Sequence, residues 1–175
     1  LTMGRVFQEI QIKERAGEYL GKTVQMVPHV TNLIQDKIQE TAKKTNADIM
    51  LIEVGGTIGD METELFIEAI RQLERKVGVD NMCFLHLTYI PIPYGVKEQK
   101  TKPTQQSVKM LQQRGIWPNF IVGRCGEDLT QSTKNKIALF ANISPQNVFS
   151  AKDLDSVYKV PVSYTHLTLP TKRIV

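Results

Sequence analysis

The chain has 175 residues, the size of one domain, and 41% of them are hydrophobic, which is enough for a folded core. No apolar run could cross a bilayer, and the first residues lack the pattern of a secretion signal. Two distant cysteines in apolar contexts, Cys83 and Cys125, indicate buried, reduced thiols in a cytoplasmic protein. The net charge of +4 comes without a basic patch interleaved with aromatic residues, so we expect neither a nucleic-acid nor a membrane partner.

Helix and strand patterns alternate along the chain. We expect helices over residues 4–15, 32–44, 63–77, 103–115 and 130–141, and strands over residues 23–27, 48–54, 81–90, 119–122 and 147–150. Thr31 suits a helix N-cap, Asn46 and Gly78 suit helix ends, and Pro103 suits a first turn. This alternation predicts an α/β fold with a mostly parallel sheet flanked by helices.

Residues 48–62, DIMLIEVGGTIGDME, are the most informative stretch. The apolar run Ile49–Ile52 is typical of a strand covered on both faces, and a Gly-rich loop follows it. Glu53 would then stand at the carboxyl end of a strand, where α/β sheets bind ligands, with Asp60 and Glu62 close behind. Such carboxylates suit a magnesium–nucleotide site, because Mg²⁺ prefers oxygen ligands. They also suit a Gly-rich turn with solvated acids favoured by a helix N-terminus.

Residues 100–105, KTKPTQ, form a basic cluster just before a predicted helix. Lys100 and Lys102 could attract phosphate together with the helix N-terminus, or could belong to an exposed charged loop. The single histidines His29 and His86 indicate hydrogen-bonded packing residues rather than zinc ligands. Trp117 is expected in the core or at a subunit contact.

The run EVGGTIGDMETELFIEAIRQL resembles the amidoligase domain of the CTP synthase family. Three further stretches agree in order: GKTVQMVPHVT at 21–31, KEQKTKPTQQSV at 97–108 and KDLDSVYKVP at 152–161. The resemblance assigns residues 1–161 to that domain and implies a P-loop NTPase-like fold of the dethiobiotin synthetase type. It also implies an incomplete domain, with the phosphate loop expected upstream and the glutaminase domain downstream.

The resemblance implies a ligase that makes CTP from UTP, ATP and glutamine-derived ammonia through a 4-phosphorylated UTP, in a homotetramer. It implies Mg²⁺ binding by Glu53, a UTP/CTP site where subunits meet, and backbone contacts of Asp153 and Leu154 near the adenine of ATP. No catalytic residue is assigned, and this piece alone is expected to be inactive. The residues implied for UTP and CTP are Asp60, Met61, Glu62, Lys100, Thr101, Lys102, Pro103, Thr104, Gln105 and Lys136.

Two other functions remain as alternatives. One is another ATP-dependent ligase of the dethiobiotin synthetase-like class, which would not need KTKPTQ. The other is a non-catalytic nucleotide-sensing or filament-forming module. Residues 94–97 also depart from the Ser-rich or small residues usual in the family.

The last fourteen residues, VSYTHLTLPTKRIV, do not continue the family pattern. They resemble translated sequencing-adapter DNA and are excluded from the fold prediction. We expect residues 162–175 to be disordered. Without them the net charge falls from +4 to +2, because they include Lys172 and Arg173 and no acid.

Overall fold

A computed structural model describes residues 1–160 of the chain. The helices are α1 Met3–Arg15, α2 Thr31–Thr45, α3 Met61–Val77, α4 Lys102–Gln113 and α5 Gln131–Ala141, and the strands are β1 Leu85–Tyr89, β2 Phe120–Cys125 and β3 Val148–Lys152. The predicted α/β class, with a parallel sheet flanked by helices, is confirmed. The chain divides into two units, described separately below: unit 1 is Leu1–Cys83 with Met110–Trp117, and unit 2 is Phe84–Lys109 with the described residues from Pro118 on.

Unit 2 contains the sheet, in which all pairings are parallel and the strand order is β1-β2-β3. Leu85 pairs with Phe120, and Ile121 pairs with Val148. Parallel strands need long crossover connections, which usually contain a helix. Here α4 lies between β1 and β2, and α5 lies between β2 and β3. The carboxyl ends of the three strands therefore meet along one edge.

One face of this sheet packs on a core of aliphatic side chains. Gly123 on β2 allows the closest approach, since a Cβ there would lie 2.4 Å from Ile90 Cδ1 and 2.8 Å from Leu129 Cδ1. This core is buried on folding and is the main source of unit 2's stability. Its buried members are Ile90, Val108, Ile121, Cys125, Leu129, Ile137, Ala138, Ala141 and Val148.

The other face of the sheet is exposed along β1. Leu85, Leu87 and Tyr89 are 60%, 64% and 59% exposed, whereas His86 and Thr88, which alternate with them, are partly buried. Parallel sheets are normally covered on both faces, so this apolar row is unusual for a strand of this kind.

Unit 1 is helical, with α1, α2 and α3 around a second apolar core. Val6, Ile10, Ile34 and Ala69 are buried there, as the helical spacing of apolar residues predicts. Helix α3 follows Asp60, which has extended dihedral angles, and ends at the positive-φ Gly78. The predicted helix ends at Gly78 and at Asn46 are confirmed.

Two predicted strands are wrong. Residues 48–54 form no strand, and Ile49 and Leu51 are 81% and 93% exposed rather than covered on both faces. An apolar run becomes a strand only where another strand supplies backbone hydrogen bonds, and none of the described strands pairs with it. Residues 23–27 also form no strand, and none of the described strands pairs with them.

Three smaller predictions are also corrected. Thr31 is not an N-cap: Val30 is already helical, and the Thr31 hydroxyl donates to the Pro28 carbonyl oxygen over 3.2 Å. Cys125 is buried, but Cys83 is exposed; both are free thiols. Trp117 is exposed, so the core interpretation is wrong, while a subunit contact stays a prediction.

Within residues 1–160, no helix combines the length and apolar character needed to cross a membrane. The prediction for residues 162–175 lies outside the described residues.

Candidate functional site

The carboxyl edge of the unit 2 sheet gathers polar loops. Three loops, at 90–101, 126–130 and 153–156, leave the ends of β1, β2 and β3. Helices α4 and α5 begin directly after the first two loops, so their N-terminal N–H groups lie at this edge. The backbone of the first loop is anchored where Lys100 N–H donates to the Pro91 carbonyl oxygen over 2.9 Å.

The KTKPTQ segment forms the start of α4, as predicted from Pro103. Gln105 N–H donates to the Thr101 carbonyl oxygen, and Gln105 Nε2 donates to Thr101 Oγ1, both over 2.9 Å. Lys102 is exposed in the first helical turn, and Lys100 forms an ion pair with Glu98. The structure therefore brings two lysines to one helix N-terminus, an arrangement that attracts anions.

Thr104 faces the other way. It is fully buried, and its hydroxyl lies 3.1 Å from the hydroxyl of Thr88 on β1. One turn later, Ser107 Oγ lies 2.9 Å from Nε2 of His86, and burial lowers the pKa of His86. These two contacts hold the start of α4 against β1, as expected for a hydrogen-bonded packing histidine. A nucleotide contact by Thr104 stays a prediction.

Gln99 is a site residue that the sequence patterns did not single out. Its side chain is only 7% exposed, although it lies in a charged loop. Its Nε2 donates to the Asp128 carbonyl oxygen over 2.8 Å, and its Oε1 accepts from Thr130 N–H over 3.1 Å. Thr130 caps α5, the helix that carries Lys136. Nothing in its sequence context distinguishes Gln99 from a solvated loop glutamine.

Lys136 is exposed on α5. The pKa of Glu98 is lowered, chiefly by the hydrogen bond and charge of Lys100 and to a smaller extent by the charge of Lys136. Glu98 is therefore within electrostatic reach of both Lys100 and Lys136. The carboxyl edge of unit 2 thus carries the cations Lys100, Lys102 and Lys136 together with the acids Glu98 and Asp153.

Asp153 and Leu154 follow β3 at the same edge. Arg124 Nε donates to Asp153 Oδ1 over 2.7 Å, which raises the pKa of Arg124, and Asp153 N–H donates to the Cys125 carbonyl oxygen over 2.9 Å. Leu154 is partly buried. The Asp153 carboxylate thus pairs with an arginine, and an ATP contact by Asp153 or Leu154 stays a prediction.

Unit 1 contains the Gly-rich loop and its acids. Glu53 and Glu62 line one open cleft of about 620 Å³, together with apolar residues of α2 and α3. Asp60 Oδ2 accepts from Thr57 N–H over 3.0 Å, and the neighbouring Met61 is exposed. The structure therefore brings two of the predicted acids to one cleft and uses the third to close the loop.

Gly59 is required by this loop. Its φ is +104°, and a Cβ would lie 2.2 Å from Met110 Cε. Gly56 has φ of +90° and little space beside the Thr63 side chain. The glycines therefore fix the path that delivers Asp60 and Glu62 to the start of α3.

The acids fit a magnesium–nucleotide complex better than an all-protein metal cage. Among residues 1–160, no group of three or more His, Cys, Asp and Glu side chains could hold an ion. Mg²⁺ bound with a nucleotide needs only one or two carboxylates, because phosphate and water supply the other oxygens. Glu53, with Glu62 in the same cleft, matches that smaller donor set.

These features define an α/β protein with polar, ligand-type loops at the carboxyl edge of a parallel sheet. The sequence model of the family described as "CTP synthase N-terminus" matches residues 1–174. The chain therefore belongs to the CTP synthase family.

Individual relatives agree with this assignment. The chain is 45% identical over 164 residues to a CTP synthase of Borreliella burgdorferi, covering 94% of this chain and 31% of that protein. It is 50% identical over 162 residues to a CTP synthase of Methanococcoides burtonii, covering 93% and 30%. For a CTP synthase of Bacillus cytotoxicus the values are 47% over 163 residues, 93% and 30%. The chain thus spans about a third of the length of these curated relatives.

Proposed function

We propose that this chain is the nucleotide-binding part of a CTP synthase, a ligase that makes CTP from UTP, ATP and glutamine-derived ammonia. The observation that carries the proposal is the position of KTKPTQ at the carboxyl edge of a parallel sheet, leading into the N-terminus of α4. In open α/β sheets this edge is where ligands bind. Membership of the CTP synthase family supports the choice of reaction.

The triphosphate of UTP or CTP would bind to the cations of unit 2. Lys102 is exposed in the first turn of α4, and the N-terminal end of an α-helix attracts anions. Lys100 would exchange its ion pair with Glu98 for one with phosphate, which keeps the ammonium paired throughout. Lys136 would add a third positive charge from α5.

Unit 1 would have nucleotide contacts of its own. Asp60, Met61 and Glu62 would contact the pyrimidine nucleotide from the loop that the glycines shape. Glu53 would hold Mg²⁺ against nucleotide phosphates; when bound, the ion neutralises charge that develops on the transferred phosphoryl group. Glu53, which lines the unit 1 cleft, would contribute a negative charge there.

The complete reaction belongs to the longer protein that we propose contains this chain. ATP would phosphorylate O4 of UTP, and ammonia would displace that phosphate. Backbone groups of Asp153 and Leu154 would contact the adenine of ATP. By resemblance, the assembly would be a homotetramer, which sedimentation of the full-length protein with and without nucleotide would test.

The test compares two lysines of the same helix in the full-length protein. Lys102→Ala should raise the KM for UTP by about tenfold or more, because a charge-assisted hydrogen bond contributes about 1.5–3 kcal/mol. Lys109→Ala, an exposed lysine further along α4, is the matched control and should leave that KM unchanged. The measurement is steady-state CTP formation at varied UTP. Equal effects of the two variants, or an unsubstituted protein that binds biotin precursors instead of UTP and CTP, would overturn the proposal.

A further inference from the structure

We propose that Gln99 is a positioning residue that sets the placement of Lys100 and Lys102 relative to Lys136. This inference rests on the proposed function and adds a residue that contacts no nucleotide itself. It starts from the burial of Gln99, whose loop neighbours Lys97 and Glu98 are exposed. A polar side chain is buried only where its hydrogen bonds are satisfied, and both ends of this amide are.

The hydrogen bonds of Gln99 join two loops of the carboxyl edge. Its Nε2 donates to the Asp128 carbonyl oxygen over 2.8 Å and lies 3.4 Å from Glu127 Oε1. Its Oε1 accepts from the backbone N–H of Thr130 over 3.1 Å. One side chain therefore fixes the loop after β1 to the loop after β2.

The contact reaches the start of the helix that carries Lys136. Thr130 Oγ1 accepts from Thr133 N–H over 3.1 Å and caps α5, while its own N–H is held by Gln99. Gln99 immediately precedes Lys100 in the chain, and the backbone N–H of Lys100 donates to the Pro91 carbonyl oxygen. Movement of the Gln99 side chain would thus shift the lysine segments of α4 and α5 relative to each other.

A triphosphate bound by Lys100, Lys102 and Lys136 needs these cations at fixed distances from one another. Cations placed beforehand lose less conformational entropy on binding, so loss of the Gln99 contact should weaken binding without removing a charge. Gln99→Met keeps the size of the side chain and removes both hydrogen bonds. In the full-length protein it should raise the KM for UTP by about tenfold and leave the KM values for ATP and glutamine within about twofold.

A double variant separates positioning from general stability. If Gln99 acts through Lys136, Gln99→Met combined with Lys136→Ala should raise the KM for UTP no more than the larger single change does. Asn147→Leu is the matched control, because Asn147 Nδ2 also joins two loops by donating to a backbone oxygen, that of Asn119, at 3.1 Å. It should leave the KM for UTP unchanged.

A second pair of variants tests the same contact from the other side. The φ of Thr130 is −66°, which proline can adopt. Thr130→Pro and Thr130→Ala both remove the side-chain cap, but only Thr130→Pro removes the N–H that Gln99 accepts. The KM for UTP should therefore rise further in Thr130→Pro than in Thr130→Ala, even where Gln99→Met fails to fold.

The outcomes separate the inference from the proposed function. An unsubstituted protein that forms no CTP overturns the proposed function, and the inference with it. Normal CTP formation, with multiplying effects in the double variant or equal KM values in the two Thr130 variants, overturns the inference alone.

Discussion

Arg114 and Glu64 form a bidentate ion pair between residues 50 positions apart in the sequence, within unit 1. Arg114 Nε lies 2.8 and 2.9 Å from the two carboxylate oxygens, and Nη1 donates to the Met110 carbonyl oxygen over 2.8 Å. The hydrogen bonds that Arg114 donates to the Glu64 carboxylate raise the pKa of Arg114. The guanidinium thus joins the first turn of α3 to the last turn of α4.

Replacement of Arg114 by lysine should lower the free energy of unfolding by about 1 kcal/mol, because an ammonium cannot form the same fork. Arg71→Lys is the control: Arg71 pairs with Glu68 within one helix, where such pairs contribute about 0.3–0.5 kcal/mol. Urea unfolding followed by circular dichroism measures both. Equal losses would mean that Arg114 contributes no more than an ordinary surface pair.

Gly123→Ala should destabilise the protein by about 1–3 kcal/mol, because the added methyl group overpacks the core between Ile90 and Leu129. Gly126→Ala is its control, since a Cβ at Gly126 meets nothing within 4 Å. Thermal unfolding of both variants provides the comparison. A fully stable Gly123→Ala protein would show that the core of unit 2 can expand.

The elements that the sequence predicted well are those whose signals are local. The end of α2 at Asn46, the end of α3 at Gly78 and the start of α4 beside Pro103 need no distant partner. The run at 48–54 differs, because a strand depends on a neighbouring strand that the pattern of the run does not identify. Leu85 and Leu87 show the same dependence on distant partners. They lie in an apolar strand of the kind that is normally covered on both faces, but their side chains are exposed.

The site divides along a similar line. The basic segment Lys100–Gln105 is recognised because its lysines precede a predicted helix. The structure has a helix that begins at Lys102. Gln99 could not be found in this way, because its importance comes from Asp128 and Thr130, which are distant in sequence. The sequence also does not show that the hydroxyl of Thr104 forms a hydrogen bond with the hydroxyl of Thr88.

His86 should make stability depend on pH below neutrality. Its pKa in the folded state lies below the ordinary value of 6.5, so between the two values the unfolded chain binds more protons. The contribution of the neutral imidazole is therefore complete above about pH 6.5 and is lost as the pH falls.

Urea unfolding at a series of pH values tests this prediction. His86→Gln should remove part of the loss in stability at low pH, because glutamine does not titrate. Ser107→Ala removes the hydrogen bond to His86 but keeps the imidazole, so it should retain the pH dependence. Parallel pH profiles for the parent protein and His86→Gln would contradict the assignment.

Glu53→Gln in the full-length protein should lower turnover by about a hundredfold or more, because magnesium-centred charge stabilisation contributes several kcal/mol. The fold should survive, since Glu53 is exposed. Asp36→Asn, which neutralises an exposed acid of α2, should leave turnover unchanged. CTP formation over a magnesium titration is the measurement, with circular dichroism as the folding control. Near-normal turnover of Glu53→Gln at limiting magnesium would show that Glu53 is a solvated acid.

The exposed apolar side chains of Leu85, Leu87 and Tyr89 should limit the solubility of this chain. An edge strand with three large exposed apolar side chains favours self-association of the folded chain. Preparations of the 175-residue chain should therefore precipitate as concentration rises, even when every molecule is folded. Polar replacements of Leu85, Leu87 and Tyr89 should raise the solubility with little loss of stability, because the core lies on the opposite face of the sheet.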